Sequence, residues 1–508
     1  MQPGSANYLP GRLNREPALR DRGSLAIMSG YDYIVVGGGS AGCVVAARLA
    51  EDATVSVLLL EAGSATPVTT TPNNWLSLLG TESAWQDTTL PEPELGRALP
   101  WPRGKALGGS SAINGMIFAR GHRSSYDWGA GWEFDDLLPF FRRSEHAPTR
   151  DPSLRGVGGP LRVAPAEHRH PTAAAFVEAA VEVGHRRASD ISGGLEEGVG
   201  WVDLNIVDGA RQSAADAYLR SQPNLHVLTD ALVQRVVFDG RRATGVEYVV
   251  GGQRIHASAG EVVLCAGAVG TAQLLLQSGI GPADHLRDVD VELVADLPGV
   301  GENLHDHPLT YVAHGSAQPV PASSYNNVEV VGMLRSDPAL DAPDLQSCLS
   351  PTGENGYVVT LSLMTPHSRG RLRLTGSGIA LEPRYLTDAR DMTAMVRGMR
   401  LVHEIGAAEA LKPWRGQDVE PVGEEYVRAT TATYFHYVGT CKLGTDEMSV
   451  VDEDLRVHGL DGLRVADASV IPRIPSANTY ATVIAIAERA ASLVNGSAVP
   501  PDGSSSPN

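Results

Sequence analysis

The sequence predicts an α/β fold, α+β overall: a nucleotide-binding domain on a parallel sheet, and a second, substrate-side domain built on an antiparallel sheet with helices. Three observations predict it. Residues Tyr31 to Glu61 read as strand, glycine turn, helix, strand and carboxylate. Glu261–Ala266 (EVVLCA) is a short apolar strand of the kind buried on both faces of a parallel sheet. Residues 316–390 have another texture, with polar strands such as RGRLRLTG and the proline-marked pairs Asp337-Pro338 and Glu382-Pro383.

Taken in order, Tyr31–Val36 is an apolar strand and a helix runs from about Ser40 to Leu49. Between and within them Gly37, Gly39 and Gly42 fit G-x-G-x-x-G. The first glycine permits a tight turn, the second lets backbone approach a pyrophosphate, and the third lets helix pack on strand. The helix N-terminus offers N–H groups and partial positive charge to that pyrophosphate. A second strand, Val55–Leu60, ends at Glu61, placed to accept hydrogen bonds from both hydroxyls of a ribose. This context makes the nucleotide domain Rossmann-like and leaves the dinucleotide unspecified.

Arg97–Asn114 is dense in Gly, Pro and Ser and is expected to be mostly loop. Asn224–Tyr248 reads as a small meander around the turn Asp239-Gly240. The 261–266 strand runs through Gly267 into a helix, Thr271–Gln277, stopped by Gly279. The stretch from Leu463 begins as a strand, loops through Pro472 and Pro475, and ends in a helix, Ala481–Val494. The expected nucleotide domain is therefore discontinuous: 30–160, 205–315 and 440–495, with 161–204 and 316–439 forming the second domain. Residues 1–29 are expected to be an extension, with Met28 as an alternative start, and 496–508 a disordered tail.

The bulk numbers narrow the function. A chain of 508 residues exceeds what one core usually organises. Its net charge of −18 argues against a nucleic-acid partner or an anionic membrane surface. An anionic cofactor stays open, because backbone amides bind pyrophosphate without a basic patch. Cys43, Cys265, Cys348 and Cys441 are scattered, with no C-x-x-C, which suits a reducing compartment and a cytoplasmic location. No apolar run approaches the roughly 20 residues of a membrane span. The first residues carry Arg12, Arg15, Arg20 and Arg22 with Glu16 and Asp21 but lack an apolar h-region, against a secretory signal.

Four blocks carry a resemblance. Gly104-Lys-Ala-Leu-Gly-Gly-Ser-Ser-Ala-Ile-Asn114, continuing through Phe118, Gly121 and Asp127, resembles the first signature of the glucose–methanol–choline (GMC) flavoenzyme family. Residues 267–281 resemble the second, departing at Ala272, where relatives usually carry proline. LPGVGENLHDHP (297–308) and the block at 465–488 look like further landmarks, so the resemblance covers essentially 30–495 in the family's order.

The resemblance implies FAD, with its adenosine at Glu61 and its isoalloxazine near 108–117 and 467–479. The cofactor-binding positions it implies are Gly37, Gly39, Ser40, Ala41, Gly42, Glu61, Ala62, Arg103, Gly104, Leu107, Gly108, Gly109, Ser110, Asn114, Gly115, Met116, Ile117, Val233, Ala266, Asp467, Ala468, Asn478 and Thr479. Where some relatives tether FAD through a histidine this chain has Ile113, which implies non-covalent FAD. YFHYVGTC resembles the block supplying the active-site histidine, here His436, and Asn478 occupies the second catalytic position. Oxidation of an alcohol needs a base, a role that an imidazole with a pKa near 6.5 suits, and a hydride acceptor, supplied by flavin N5. Asn478 then donates a hydrogen bond to the developing alkoxide. The partners implied are a small alcohol-type substrate and oxygen or another electron acceptor; oligomeric state, substrate and acceptor are left open.

Each residue has a plainer reading. His436 alone is a packed histidine, and Asn478 alone is a helix N-cap. His305 and His307 look like metal ligands, but without a third ligand they read as structural, so no metal is expected. Cys265 and Cys441 read as small core residues. Arg103 and Lys105 either meet flavin phosphates or solvate a loop. Tyr325, Asn326, Asn327 and Tyr357 are the candidates for pocket polarity. The rival functions are a redox-neutral or light-driven member of the same fold (hydroxynitrile lyase or photodecarboxylase type), a pyridine-nucleotide-linked reductase, and a non-catalytic flavin-binding interaction protein. The reductase reading wants a second fingerprint, and Gly299-Val-Gly301-Glu-Asn-Leu304 lacks its third glycine.

Overall fold

The computed structural model describes residues 30–194, 197–417 and 423–496. The expected extension with Met28, and the tail from residue 497, lie outside them. Strand β1 (Tyr31–Val36) and helix α1 (Ser40–Leu49) fall at the expected bounds. Strand β2 (Val57–Leu60) starts two residues later than expected. The Asn224 amide explains the delay: it donates to the carbonyls of Ala50, Asp52 and Val55 and holds that stretch as a turn.

Five strands pair in parallel, in the order Leu225–Leu228, β2, β1, Gln253–Leu264 and Leu463–Val465. All of β2 is buried, and its lack of alternation follows from cover on both faces. The C-terminal helix, Tyr480–Val494, packs against α1. The helix Gly267–Gln277 packs against the strand Ala231–Asp239.

Three local expectations change. The 261–266 strand is the second half of a longer one, Gln253–Leu264, whose first half pairs antiparallel with Arg242–Val250. The meander is split: Leu225–Leu228 joins β2, and only 231–250 forms a hairpin around Asp239-Gly240. The Pro-rich stretch contains a strand, Pro100–Gly104, paired with Ala84–Thr88, followed by a 3₁₀ turn at Gly109–Ala112. The helix expected at Thr271 begins at Gly267, because the Asp467 carboxylate accepts hydrogen bonds from the Gly267 N–H (2.8 Å) and the Thr271 hydroxyl (2.6 Å). That cap comes from a strand end far along the chain, beyond the reach of local signals.

The second layer is an antiparallel sheet in the order 432–433, 308–315, 356–363, 345–351, 330–334, 198–201. Helices Ala389–Ala407 and Pro171–Glu182 pack on it. The sheet starts with Pro308–Gly315, ahead of the expected boundary at 316. The polar hairpin of Arg371–Thr375 and Gly378–Glu382 stands apart as its own two-stranded sheet. Its alternation buries Leu372 and Leu374, and it lies against the 267–277 helix. Among the described residues no helix is long and apolar enough to cross a membrane, and no cluster of His, Cys, Asp and Glu is arranged to hold a metal ion. All four cysteines are buried and unpaired.

Candidate active site

A cavity of about 700 Å³ runs from Glu61, at the end of β2, to His436 and Asn478 beside the antiparallel sheet. Its nucleotide end is built from glycines. Gly37 turns the chain with φ +101°, and a Cβ on Gly42 would sit 1.8 Å from the Gly37 carbonyl oxygen. Helix α1 can start here only with hydrogen at that position. A Cβ on Gly109 would meet Gly39 Cα at 2.5 Å, so two glycine turns lie face to face. The Gly108 N–H donates to the Gly38 carbonyl (2.7 Å) and ties them together.

Glu61 is buried; its oxygens accept from the N–H groups of Gly38 and Gly63, each at 2.8 Å. Burial pushes its carboxyl up to about 7. Gly37, Gly39, Ser40, Ala41, Ala62, Gly104, Ser110, Val233, Ala266, Asp467, Ala468 and Thr479 also line the cavity. Three expected positions do not: Gly42, Leu107 and Gly108 stand behind the wall, with the Leu107 side chain packed against the Gly38 turn. Arg103 and Lys105 part company. Both lie over the Trp85 ring, but Arg103 lines the cavity, paired to Asp87 at 2.7 Å, and Lys105 does not line it.

At the other end Ile113, Asn114, Gly115, Met116 and Ile117 face His436 and Asn478. Asn114 Oδ1 accepts from the Met116 N–H (3.0 Å) and from Arg211 (2.7 Å), which holds Met116 at φ +58°. His436 is placed by Asp306, which accepts its backbone N–H at 2.7 Å and also the Tyr385 and Thr433 hydroxyls. Burial of Asp306 pushes its carboxyl up to about 6. His436 Nδ1 lies 2.9 Å from His307 Nδ1, and its Nε2 lies 3.3 Å from the Asn478 amide nitrogen.

The other His307 nitrogen, Nε2, faces the Met364 carbonyl at 3.1 Å. A carbonyl only accepts, so Nε2 carries the proton and a neutral His307 offers Nδ1 as acceptor. The bond between the histidines then puts a proton on His436 Nδ1 and leaves a lone pair on Nε2. Burial drives His436 down to about 3, well below the ordinary imidazole value expected from sequence, so it stands neutral. Neutral His436 lines the cavity, and its Nε2 lone pair, which the Asn478 amide nitrogen meets at 3.3 Å, can accept a proton from a hydroxyl that displaces that contact.

Several expectations are corrected. Asn478 does not cap the C-terminal helix, whose N-cap is Thr479; its side chain points to His436 and Gln346. The structural reading of the HDH histidines stands and gains a purpose: His305 accepts from the Ile474 N–H, and His307 and Asp306 set the position of His436. The signal for these was present in the 297–308 block but carried no role. Tyr325, Asn326, Asn327 and Tyr357 do not line the cavity. Asn326 and Asn327 hold the backbone of Gly115 and Asn73, Tyr325 accepts from the Glu167 N–H, and Tyr357 stacks on His314. The cavity is lined instead by Tyr434, Phe435 and Tyr437, from the block that carries His436, and by Trp75 and Val328, which no sequence pattern marked.

A family model described as GMC oxidoreductase matches residues 31–309, and its C-terminal counterpart matches 366–487. Mitochondrial choline dehydrogenase of Mus musculus is 36% identical over 92% of this chain and 89% of its own length. Oxygen-dependent choline dehydrogenase of Pseudomonas fluorescens is 37% identical over 92% and 94%. Among solved structures, pyridoxine 4-oxidase from Mesorbium loti is 34% identical with a TM-score of 0.88, covering 92% of this chain and 99% of the other. Formate oxidase of Aspergillus oryzae is 26% identical with a TM-score of 0.85, covering 92% and 98%. Family models in the same order as the two halves of the site, and relatives similar over nine-tenths of its length, show that this chain belongs to the GMC oxidoreductase family.

Proposed function

We propose that this FAD-dependent oxidoreductase oxidises the CH–OH group of an uncharged alcohol, with His436 as the base and Asn478 as hydrogen-bond donor to the oxygen. The observation that carries the reading is the pair of side chains at one end of the cavity, His436 Nε2 and the Asn478 amide nitrogen, 3.3 Å apart. The residues present fit FAD: Gly37, Gly42 and Gly109, where a Cβ would clash, with a buried carboxylate at one end, and the segment Ile113–Ile117 at the other. Glu61 and the α1 N-terminus would hold its adenosine diphosphate, and Gly109–Ile117 with Asp467–Ala468 its ring. When bound, the flavin supplies the hydride acceptor. Ile113, buried at the cavity wall, offers no nucleophile, which supports non-covalent binding.

The protein's own part is proton handling and orientation. His436 Nε2 takes the hydroxyl proton, and the buried site keeps water from competing. Asn478 donates to the oxygen as its charge grows. Among the described residues Glu61 and Asp467 are the acidic side chains lining the cavity. Glu61 is held by Gly38 and Gly63, and Asp467 by Gly267, Thr271 and Ser469. A cationic alcohol would therefore meet aromatic faces without a carboxylate, an attraction of about 0.5–2 kcal/mol that poorly offsets desolvation. This favours uncharged alcohols with an apolar or aromatic body against Trp75, Val328 and Tyr434.

The test is anaerobic mixing of the purified yellow protein with a panel of alcohols. A substrate bleaches the flavin, and His436→Ala slows bleaching by about 10²–10⁴-fold. Bleaching by the variant at the wild-type rate would remove His436 from the mechanism. Acid precipitation is expected to leave the flavin in solution.

A further inference from the structure

We propose that Gln346 is a positioning residue in a five-bond hydrogen-bond wire whose direction the Met364 carbonyl sets, and that Gln346, held by Tyr434, keeps the NH₂ end of the Asn478 amide towards His436 and the substrate. This rests on the reading of His436 and Asn478 given above.

The wire is continuous. The Tyr434 hydroxyl donates to Gln346 Oε1 at 2.8 Å, and Gln346 Nε2 donates to Asn478 Oδ1 at 3.3 Å. The Asn478 amide nitrogen meets His436 Nε2 at 3.3 Å, His436 Nδ1 meets His307 Nδ1 at 2.9 Å, and His307 Nε2 meets the Met364 carbonyl at 3.1 Å. Gln346, His307 and Asn478 are buried, so the cost of a mismatched contact is not relieved by bulk water.

Every internal member can reverse, since a neutral imidazole has two tautomers and an amide can flip. The Met364 carbonyl cannot. Being an acceptor, it makes each group donate toward it, and the order propagates: His307 to Met364, His436 to His307, Asn478 to His436, Gln346 to Asn478, Tyr434 to Gln346. Reversing any one bond sets two acceptors or two donors against each other somewhere along the line. Gln346 matters because it presents both kinds of group at once, its oxygen to Tyr434 and its NH₂ to Asn478. It is carried by the strand Leu345–Pro351 and does not line the cavity. Its further neighbour, the Met333 sulfur at 3.6 Å from Nε2, is a weak acceptor and agrees with an NH₂ on that side.

Gln346→Glu replaces the NH₂ with an acceptor while keeping shape. Burial raises such a carboxyl, as it does Glu61 and Asp306, so the effect is read at a pH where it is ionised. Asn478 then turns its NH₂ to the carboxylate and its oxygen to His436 Nε2, which withdraws the donor from the substrate and favours a proton on Nε2. We expect the flavin-reduction rate with a substrate alcohol to fall about 10²-fold, with an acidic limb of the rate profile moved to higher pH. Gln346→Met, which orients nothing, is expected to lose less and to leave that limb in place. Histidine NMR of isotope-labelled holoenzyme gives a readout free of turnover: the resonance lost in His436→Asn should report a proton on Nδ1 in the wild type. In Gln346→Glu it should report a proton on Nε2 or on both nitrogens.

Wild-type rate in Gln346→Glu at about pH 9, where the new carboxyl is ionised, would overturn the wire. If Gln346→Glu fails to fold or to retain flavin, a wild-type His436 protonated on Nε2 overturns it alone. If His436→Ala itself reduced flavin normally, the proposed chemistry would fail, while the NMR comparison would still decide the wire.

Discussion

The neutral state of His436 has a consequence for pH. Its pKa is driven down to about 3 because burial penalises the imidazolium. A lowered pKa means that the proton-accepting form persists as pH falls. An ordinary imidazole would be mostly protonated at pH 5, whereas here flavin reduction at pH 5 should stay within about twofold of its value at pH 7. Stopped-flow reduction across that range checks it; a limb centred near the ordinary histidine value would mean that burial does not control this group. His436 and Asn478 were legible in the sequence because each sits in a distinctive block. Asp306 and His307 stood in the marked 297–308 block without a role, and Gln346 stood in none, because their roles exist only through contacts with residues on other strands and loops.

The start of α1 is where element and site share one atom. The Gly42 Cβ position lies 1.8 Å from the Gly37 carbonyl oxygen, and that carbonyl belongs to the turn facing the cavity. Gly42→Ala must push the helix off the turn, a strain expected to cost about 1–3 kcal/mol. We expect a lower melting temperature together with loss of bound flavin from the purified protein. A variant that melts lower but keeps full flavin would show that the helix, and not the turn, yields. The strand–turn–helix unit was readable because its constraints are local: φ, close approach and a run of apolar residues. The early start of the 267–277 helix was not, since Asp467 caps it from a distant strand. The apartness of the 371–382 hairpin was hidden for a similar reason: alternation shows that Leu372 and Leu374 are buried, but not against which partner.

At the scale of the whole molecule, the parallel sheet holds the nucleotide, and segments outside the strands of the antiparallel one line the cavity near His436. The parallel layer was legible as a fold class, and so was the antiparallel one; the wall was not, because Trp75, Val328 and Tyr434 come from segments far apart in the chain. The absence of a free carboxylate among the described residues of that wall makes a comparison with the choline dehydrogenases direct. An uncharged aromatic or aliphatic alcohol is expected to bleach the flavin at least about tenfold more efficiently than choline, a difference of roughly 1.4 kcal/mol. The ratio of the two kcat/KM values decides it, and a ratio in favour of choline would show that the aromatic faces suffice to hold the cation.

The C-terminal helix against α1 also sets a timetable. The strand 463–465 closes the edge of the parallel layer, Asp467 caps a helix made much earlier, and Tyr480–Val494 covers α1. A chain emerging from the ribosome can form β1, α1 and β2 early, yet these wait with one face bare until the last helix is synthesised. Their exposed apolar surface must be tolerated or shielded throughout translation, and a prematurely terminated product would carry the fingerprint without the means to keep its cofactor.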